Sequence, residues 1–437
     1  MPVRHASSVR SSMPDMSRRT LLGALGGAGA AVALSACGGS SSGSSSGGGS
    51  AKSVTFWIST SAAQLAGWTQ LAAAYKKQAG VTVNFANIPY SGYPAKLKDA
   101  AQANALPDIA DVPALDPIWV NSLQDLKSIM SNNVNPNFVA NGSGGKVLSI
   151  PSDVTASGMF INKTLFDKAG VSYPTSPSST WTWTEFIAAA NKVRSGAGAK
   201  YSLVFDGSPS RLRAMVYEMG GQYMHADSSG TFSYDPATVK AVEDFVSWNN
   251  DVTIPKSVWT SGQDPSAIFQ SGDVAAYWSG VWQVSTFAES VTNFEWASAA
   301  TPAQPVQASD VNAGGMMVAF SSAGKDFMSF IYEPANYRTL VQVSGFLPVE
   351  SGLDAVYPFK SAAAQAAFKL YNEEIPLYAP ISGYFNNTQT DWVLKGKTLT
   401  TDPSVTEIGK AINGQQSAAT ALKNIAAGYN EQVGGVL

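Results

Sequence analysis

Few residues of this 437-residue chain could carry out covalent chemistry. It has one cysteine, Cys37, and two histidines, His5 and His225. His5 falls in a leader segment and His225 in a polar loop where it reads as exposed, so a Ser-His-Asp triad or a histidine-based zinc site has almost nothing to be built from. Cys37 closes the run Leu34-Ser35-Ala36-Cys37 behind Arg18-Arg19 and an apolar stretch over 21–34. That stretch is too short to span about 30 Å of hydrocarbon and reads as an export signal, with Cys37 as the residue that receives lipid after cleavage. No second cysteine exists to pair with it, so no internal disulfide is expected and stability must come from core burial. What remains is noncovalent chemistry. The chain carries eleven tryptophans and sixteen tyrosines, a surplus of flat amphipathic rings that core packing alone only half explains.

Those rings and their polar neighbours need elements to hold them. Residues 53–58 (SVTFWI) read as a buried strand, 64–79 as an amphipathic helix ending near Gly80, and 81–85 as a second strand. Strand, helix and strand in so short a span make a right-handed βαβ unit, and the body of the chain opens as α/β. A helix from Tyr93 to Ala105 and a third strand over 109–112 follow. Segments 145–151 and 157–162 read as strands, and Thr182 and Glu185 stand at the spacing of a capping box before a helix. Further helices are expected near 209–220, 236–250 and 264–270. A strand over 275–278 gives way to a loop from Trp278 to Trp282, Gly314-Gly315 opens another strand, and Ile381–Asn387 reads as a loop. Trp57, inside the first strand, reads as core, and Trp181 and Trp183 as staples of a helix start.

Composition sorts the function classes. The formal charge of −3, with no clustering of Lys and Arg, gives no electrostatic footprint for nucleic acid. The organisation expected is a twin-arginine lipoprotein signal over 1–37 and a Gly/Ser tether over 38–51. Lobe one follows over 52–153 and 304–343, and lobe two over 154–303 and 344–437. Residues 38–50 are all Gly or Ser and cannot bury apolar surface.

The ordered set of local patterns resembles the family 1 extracellular solute-binding proteins of ABC importers, the group that includes maltose-binding protein. It is carried by Val54-Thr55-Phe56-Trp57, Leu106-Pro107-Asp108-Ile109, Gly145 to Pro151 and Phe160-Ile161-Asn162-Lys163-Thr164-Leu165-Phe166-Asp167-Lys168-Ala169-Gly170. Further matches are Thr180 to Phe186, Phe269 to Ala276, Gly280-Val281-Trp282, Gly314-Gly315 and Gly345 to Val349. The resemblance implies an α/β fold of periplasmic-binding type II, with two lobes, hinge crossovers near 151–157, 300–313 and 342–350, and a ligand cleft between the lobes.

It also implies where a ligand is held. A sugar offers apolar C–H faces to aromatic rings, and hydroxyls to carboxylates, amides and Arg in paired hydrogen bonds. Carried onto this sequence, the ligand-binding candidates are Ser59, Thr60, Asp111, Asp116 and Asp153 from the first half, and Arg211, Trp278 and Trp282 from the second. Gly314 and Gly315, allowing close backbone approach, and Tyr384, Phe385 and Asn386 complete the set. The function implied is a monomeric, non-enzymatic receptor without cofactor or metal. It would be lipid-anchored on the outer face of the membrane, with a small solute and ABC permease subunits as partners. A mono- or oligosaccharide is the leading solute. Alternatives are a polyamine, peptide or glycerol phosphate, or an exported glycoside hydrolase with two carboxylates about 5–9.5 Å apart across a cleft. Val112-Pro113 stands where the maltose-binding pattern has an aromatic, which argues against the same disaccharide.

Overall fold

A computed structural model describes residues 53–435 apart from 131–133, 135–137, 311, 351, 354 and 358. The export signal, Cys37 and the Gly/Ser tether lie outside the described residues. In chain order the strands are β1 (Ser53–Ile58), β2 (Thr82–Asn87), β3 (Ile109–Val112), β4 (Ala140–Asn141), β5 (Val147–Pro151), β6 (Val154–Thr155) and β7 (Ser157–Asn162). They continue as β8 (Tyr201–Phe205), β9 (His225–Ala226), β10 (Phe232–Ser233), β11 (Val274–Gly280), β12 (Trp296–Ala299), β13 (Asn312–Ala313) and β14 (Met316–Ala319).

Two larger sheets organise the molecule. One has the order β2-β1-β3-β14-β5-β4 and the other β12-β7-β11-β8. In the first, β1 runs parallel to both β2 and β3, and β14 returns antiparallel between β3 and β5. In the second, β11 lies parallel to β8 and antiparallel to β7. The sequence accounts for both. Along β1, Val54, Phe56 and Ile58 alternate inward, and Phe56 meets Trp68 edge-to-face at 5.2 Å. Strands β7 and β11 are buried at every position, as expected of strands covered on both faces. The Ala62–Ala79 helix starts at a capping box of Ser61 and Gln64 and stops at Gly80, whose φ of 73° is the left-handed conformation glycine adopts without strain.

The chain passes between the sheets at named places. Strand β5 belongs to the first sheet and β7 to the second, with β6 between them. Strand β12 belongs to the second and β14 to the first, with β13 between them. Thus β6 and β13 pair with each other, and Val154 N–H donates to Leu347 O at 3.0 Å. Three separate stretches of chain therefore meet side by side where the sheets join. Among the described residues, no helix is long and apolar enough to cross a membrane.

Candidate functional site

A cavity of about 900 Å³ lies between the elements of the two sheets, within the range of small-molecule sites. One wall comes from the carboxyl ends of three neighbouring parallel strands: Ser59 and Thr60 after β1, Asn87 to Tyr90 at and after β2, and Pro113 after β3. The opposite wall comes from the carboxyl ends of β8 and β11, which supply Ser208, Ser210, Arg211 and Arg213, and Trp282. Strand carboxyl ends are where open α/β sheets place their ligands, because successive loops splay apart there. Thr155 and Gly314, at the join, and Phe385, Asn386 and Gln389, on the Tyr384–Leu394 helix, close the cavity.

Each polar group is held by a local cause. Thr60 and Asn87 lock the two loops together: Thr60 N–H donates to Asn87 Oδ1 at 3.1 Å and Asn87 Nδ2 to Thr60 O at 2.9 Å. Trp282 folds back over the end of β11 because residue 280 is glycine; a Cβ there would stand 1.9 Å from the indole. Its ring lies 5.0 Å from the Arg211 guanidinium, a cation–π distance. Tyr90, 69 % exposed, stands at the rim.

The two arginines differ. Arg213, 2 % exposed, donates from Nη2 to Asp310 Oδ2 at 3.0 Å, has Asp402 at 3.6 Å, and packs 3.6 Å from the Phe385 ring. Burial opposes its charge, but Asp310 leads a group of neighbours that outweighs burial and holds its pKa above the usual value. Arg211, 3 % exposed, makes both its protein hydrogen bonds from Nη1, to Ser157 Oγ at 2.9 Å and Ser279 O at 3.0 Å, and its Nε has no partner. Burial depresses its pKa, with Asp310 and Asp206 opposing at longer range. The Asp206 carboxylate is already engaged by Tyr277 Oη at 2.5 Å and Ser279 Oγ at 2.7 Å.

Behind Gly314 sits a carboxylate pair. Ser152 Oγ lies 2.7 Å from Asp153 Oδ1 and 3.3 Å from Asp111 Oδ2. A Cβ on Gly314 would fall 2.2 Å from Asp153 Oδ2, and one on Gly315 1.8 Å from Asp111 Oδ1. The two glycines are therefore the space the carboxyl groups occupy. Burial, reinforced by the charge of Asp153, pushes Asp111 up to about 8, and burial pushes Asp153 up to about 6; the Ser152 hydroxyl opposes both shifts.

Of the residues singled out from sequence, Ser59, Thr60, Arg211, Trp282, Gly314, Phe385 and Asn386 line the cavity. Asp111, Asp153 and Gly315 stand in the layer next to Gly314 and do not form the wall. Three others need correction. Trp278 belongs to β11 and not to a loop: it is fully buried, donates from Nε1 to Arg211 O at 3.1 Å and meets Trp183 edge-to-face at 5.1 Å. Asp116 serves its own turn, accepting from Ile118 N–H at 3.0 Å and pairing with Lys98 at 3.1 Å. Tyr384 opens a helix where a loop was expected; its ring stacks 4.0 Å from His225 and its hydroxyl accepts from Ala226 N–H. His225 is consequently half-buried, not exposed.

Gln64, Asn87, Tyr90, Arg213 and Gln389 line the cavity without a signal having singled them out in the sequence. The loop after β2 carried a usable signal, since the rule that pointed to the loops after the first and third strands applies equally to the strand between them.

A second cavity, of about 650 Å³, lies across β6: Val154 lines it where Thr155 lines the first. Among the described residues lining it are one carboxylate, Glu350, and the rings of Phe138 and Tyr378.

The model of the bacterial extracellular solute-binding protein family matches residues 70–368, and the chain belongs to that family. A binding protein of Brucella abortus is 23 % identical over 308 residues, covering 66 % of this chain and 74 % of the relative. Among solved structures, the cyclic alpha-maltosyl-1,6-maltose binding protein of Arthrobacter globiformis superposes with a TM-score of 0.63 at 22 % identity, covering 87 % of this chain and 98 % of that one. An ABC substrate-binding protein of Listeria monocytogenes in complex with cycloalternan gives 0.69 at 19 %, with coverage of 87 % and 98 %. The GacH receptor of Streptomyces glaucescens, solved unliganded and with acarbose, gives 0.67 at 19 %, with coverage of 88 % and 98 %. At these identities the likeness is one of fold, the two-lobed α/β fold of solute-binding proteins.

Proposed function

We propose that the protein is the solute receptor of an ABC importer, capturing a mono- or oligosaccharide in the 900 Å³ cavity and handing it to a membrane permease. The observation that carries this reading is the convergence of strand carboxyl ends from both sheets on one cavity whose wall mixes rings with neutral hydrogen-bonding groups. Trp282 and Tyr90 supply faces for C–H stacking, and Ser59, Thr60, Asn87, Asn386 and Gln389 supply donors and acceptors for hydroxyls. The structural relatives named above bind or are complexed with saccharides, which agrees. Lobes divided at 153/154, 303/304 and 343/344 would close by bending where β6, β13 and Leu347 meet. A ligand touching both walls would favour the closed state by its differential affinity. Anchoring through lipid on Cys37, with residues 38–51 as tether, would keep the cleft outside the membrane.

The reading is of a receptor without catalysis. A glycosidase would need two carboxyl groups facing the cleft, and no Asp or Glu stands among the described residues lining it. The test is calorimetric titration of the protein with a panel of neutral and acidic mono- and oligosaccharides, alongside peptides and spermidine. Saccharide binding that is lost in Trp282→Ala is expected. Binding of a peptide or spermidine with no saccharide bound removes the carbohydrate reading.

A further inference from the structure

We infer that the solute carries a compact oxyanion, a carboxylate or phosphate on a saccharide frame, which docks on Arg211. The inference rests on the reading of the cavity as a saccharide cleft and names the chemical class of its ligand.

Charge in the cavity is one-sided: its described lining includes two guanidinium groups and no carboxylate, lysine or histidine. One of the two is already spent, since Arg213 is paired with Asp310 and Asp402. Arg211 is paired with none. Among the described residues no carboxylate oxygen comes within salt-bridge distance of it, its Nη1 bonds go to an uncharged hydroxyl and a carbonyl, and its buried Nε is unpartnered. Asp310 and Asp206 act on it only from beyond salt-bridge distance, and keeping a cation 3 % exposed with no counter-charge in contact is unfavourable unless something arrives to pair with it. Asp206, the nearest acid of its own loop, is tied to Tyr277 and Ser279.

Independent features of the wall point the same way. Arg211 is the third residue of the Pro209–Glu218 helix, whose cap residue Ser208 makes no side-chain capping bond. The first amides of a helix have no partner within it, and they carry the positive end of its dipole. Ser208 and Ser210 line the cavity beside Arg211, so a hydroxyl-rich, positively polarised helix start and a planar guanidinium whose Nη1 alone is engaged by the protein stand at the same wall. Trp282 under the guanidinium fixes its plane and leaves the indole as a stacking surface for the sugar ring that bears the anion. A neutral sugar uses the ring and the amides and leaves the charge unanswered. An acidic one uses all three.

The test is titration of the full chain with matched pairs: oligogalacturonides against their methyl esters, and glucose 6-phosphate against glucose. The first pair reads a carboxylate source and the second a phosphate source. The acidic member of at least one pair is expected to bind about tenfold tighter or more than its neutral partner. That ratio should fall toward one in Arg211→Gln and be partly kept in Arg211→Lys. Salt titration of the unaltered protein needs no variant: affinity for the acidic member should fall as salt rises while that for the neutral member stays level. Neutral saccharides binding as well as acidic ones overturns the inference and leaves the carbohydrate receptor standing. An Arg211→Gln ratio equal to that of the unaltered protein also overturns it. Binding of no saccharide, acidic or neutral, overturns both.

Discussion

Replacing Asp111 by Asn should change how stability depends on pH more than it changes stability at any one pH. Asp111 and Asp153 share one hydroxyl, that of Ser152, which has a single proton and can donate to only one of them at a time. The other contact is satisfied when a carboxyl group is itself protonated and donates back. Asp111 Oδ1 is buried with no partner, and neither acid has a Lys, Arg or His within salt-bridge distance among the described residues. The titratable groups facing the pair are the phenols of Tyr93, Tyr332 and Tyr337, all neutral at physiological pH. Burial, with the charge of Asp153 adding to it, pushes Asp111 up to about 8, against about 3.9 for an exposed aspartate. The native state therefore holds a proton that the unfolded chain has released. The stability associated with it is fully present below about pH 4 and is lost as pH rises through about 8. One proton of difference is worth about 1.4 kcal/mol per pH unit. Partial exposure and coupling to Asp153 reduce the total, so about 2–4 kcal/mol should be lost between pH 5 and 8. The measurement is urea unfolding followed by tryptophan fluorescence at half-unit steps from pH 5 to 8.5, for the unaltered protein and Asp111→Asn. The difference in unfolding free energy between them should grow in favour of the variant as pH rises, with the slope steepest between about pH 5 and 7 and fading as Asp111 ionises through about 8. A difference that stays flat across the range refutes the shared-proton account.

Two paired substitutions separate framework from cleft. Trp278→Ala, in the core of the second sheet, should cost about 3–5 kcal/mol and lower the melting midpoint. It should leave the affinity of the folded protein for its solute within a few-fold. Trp282→Ala should do the reverse, moving the unliganded midpoint little and abolishing most of the ligand-induced rise; equal effects of the two on affinity would refute the placement of Trp278. Arg213→Gln removes the buried cation paired with Asp310 and Asp402 and should destabilise by about 3–5 kcal/mol, whereas Arg211→Gln, which removes a buried cation with no carboxylate in contact among the described residues, should leave the unliganded midpoint unchanged or raise it. Chemical denaturation of both variants without ligand checks this, and a large loss of stability in Arg211→Gln would show that its charge is structurally compensated after all.

The framework was the most legible part of the sequence because its signals are local. The alternation of Val54, Phe56 and Ile58, the capping pair Thr182 and Glu185, and glycine at position 80 each specify a short element without reference to the rest of the chain. The site was legible where a residue follows a strand end, as Ser59, Thr60 and Trp282 do. It was not legible where an element boundary moved. Trp278 reads as the start of a loop because Ser279-Gly280 looks like a turn, yet β11 runs through both residues, and burial on both faces overrides the weak strand propensity of serine and glycine. Ile381 to Asn387 carries Gly383, Asn386 and Asn387 and reads as a loop. There the Tyr384–Leu394 helix instead packs Trp392 and Phe385 against Tyr429, contacts supplied by the end of the chain.

Arg213 shows a different limit. Two residues apart on a helix point to nearly opposite sides, so a ligand role for Arg211 gives no reason to expect Arg213 at the same cavity. Both reach one cavity because the Pro209–Glu218 helix meets it with its first turns, and from Arg211 to Glu218 every residue of that helix is buried. No face of it is left for solvent. A guanidinium on such a helix has to find a partner inside the protein, and Arg213 finds Asp310, more than ninety residues along the chain, a contact no sequence pattern announces. Among the described residues Arg211 finds a hydroxyl, a carbonyl and the Trp282 ring, none of them charged. The same burial that makes one arginine a structural tie thus leaves the other with charge to spare, and the difference between them is the reason for assigning the second to the solute.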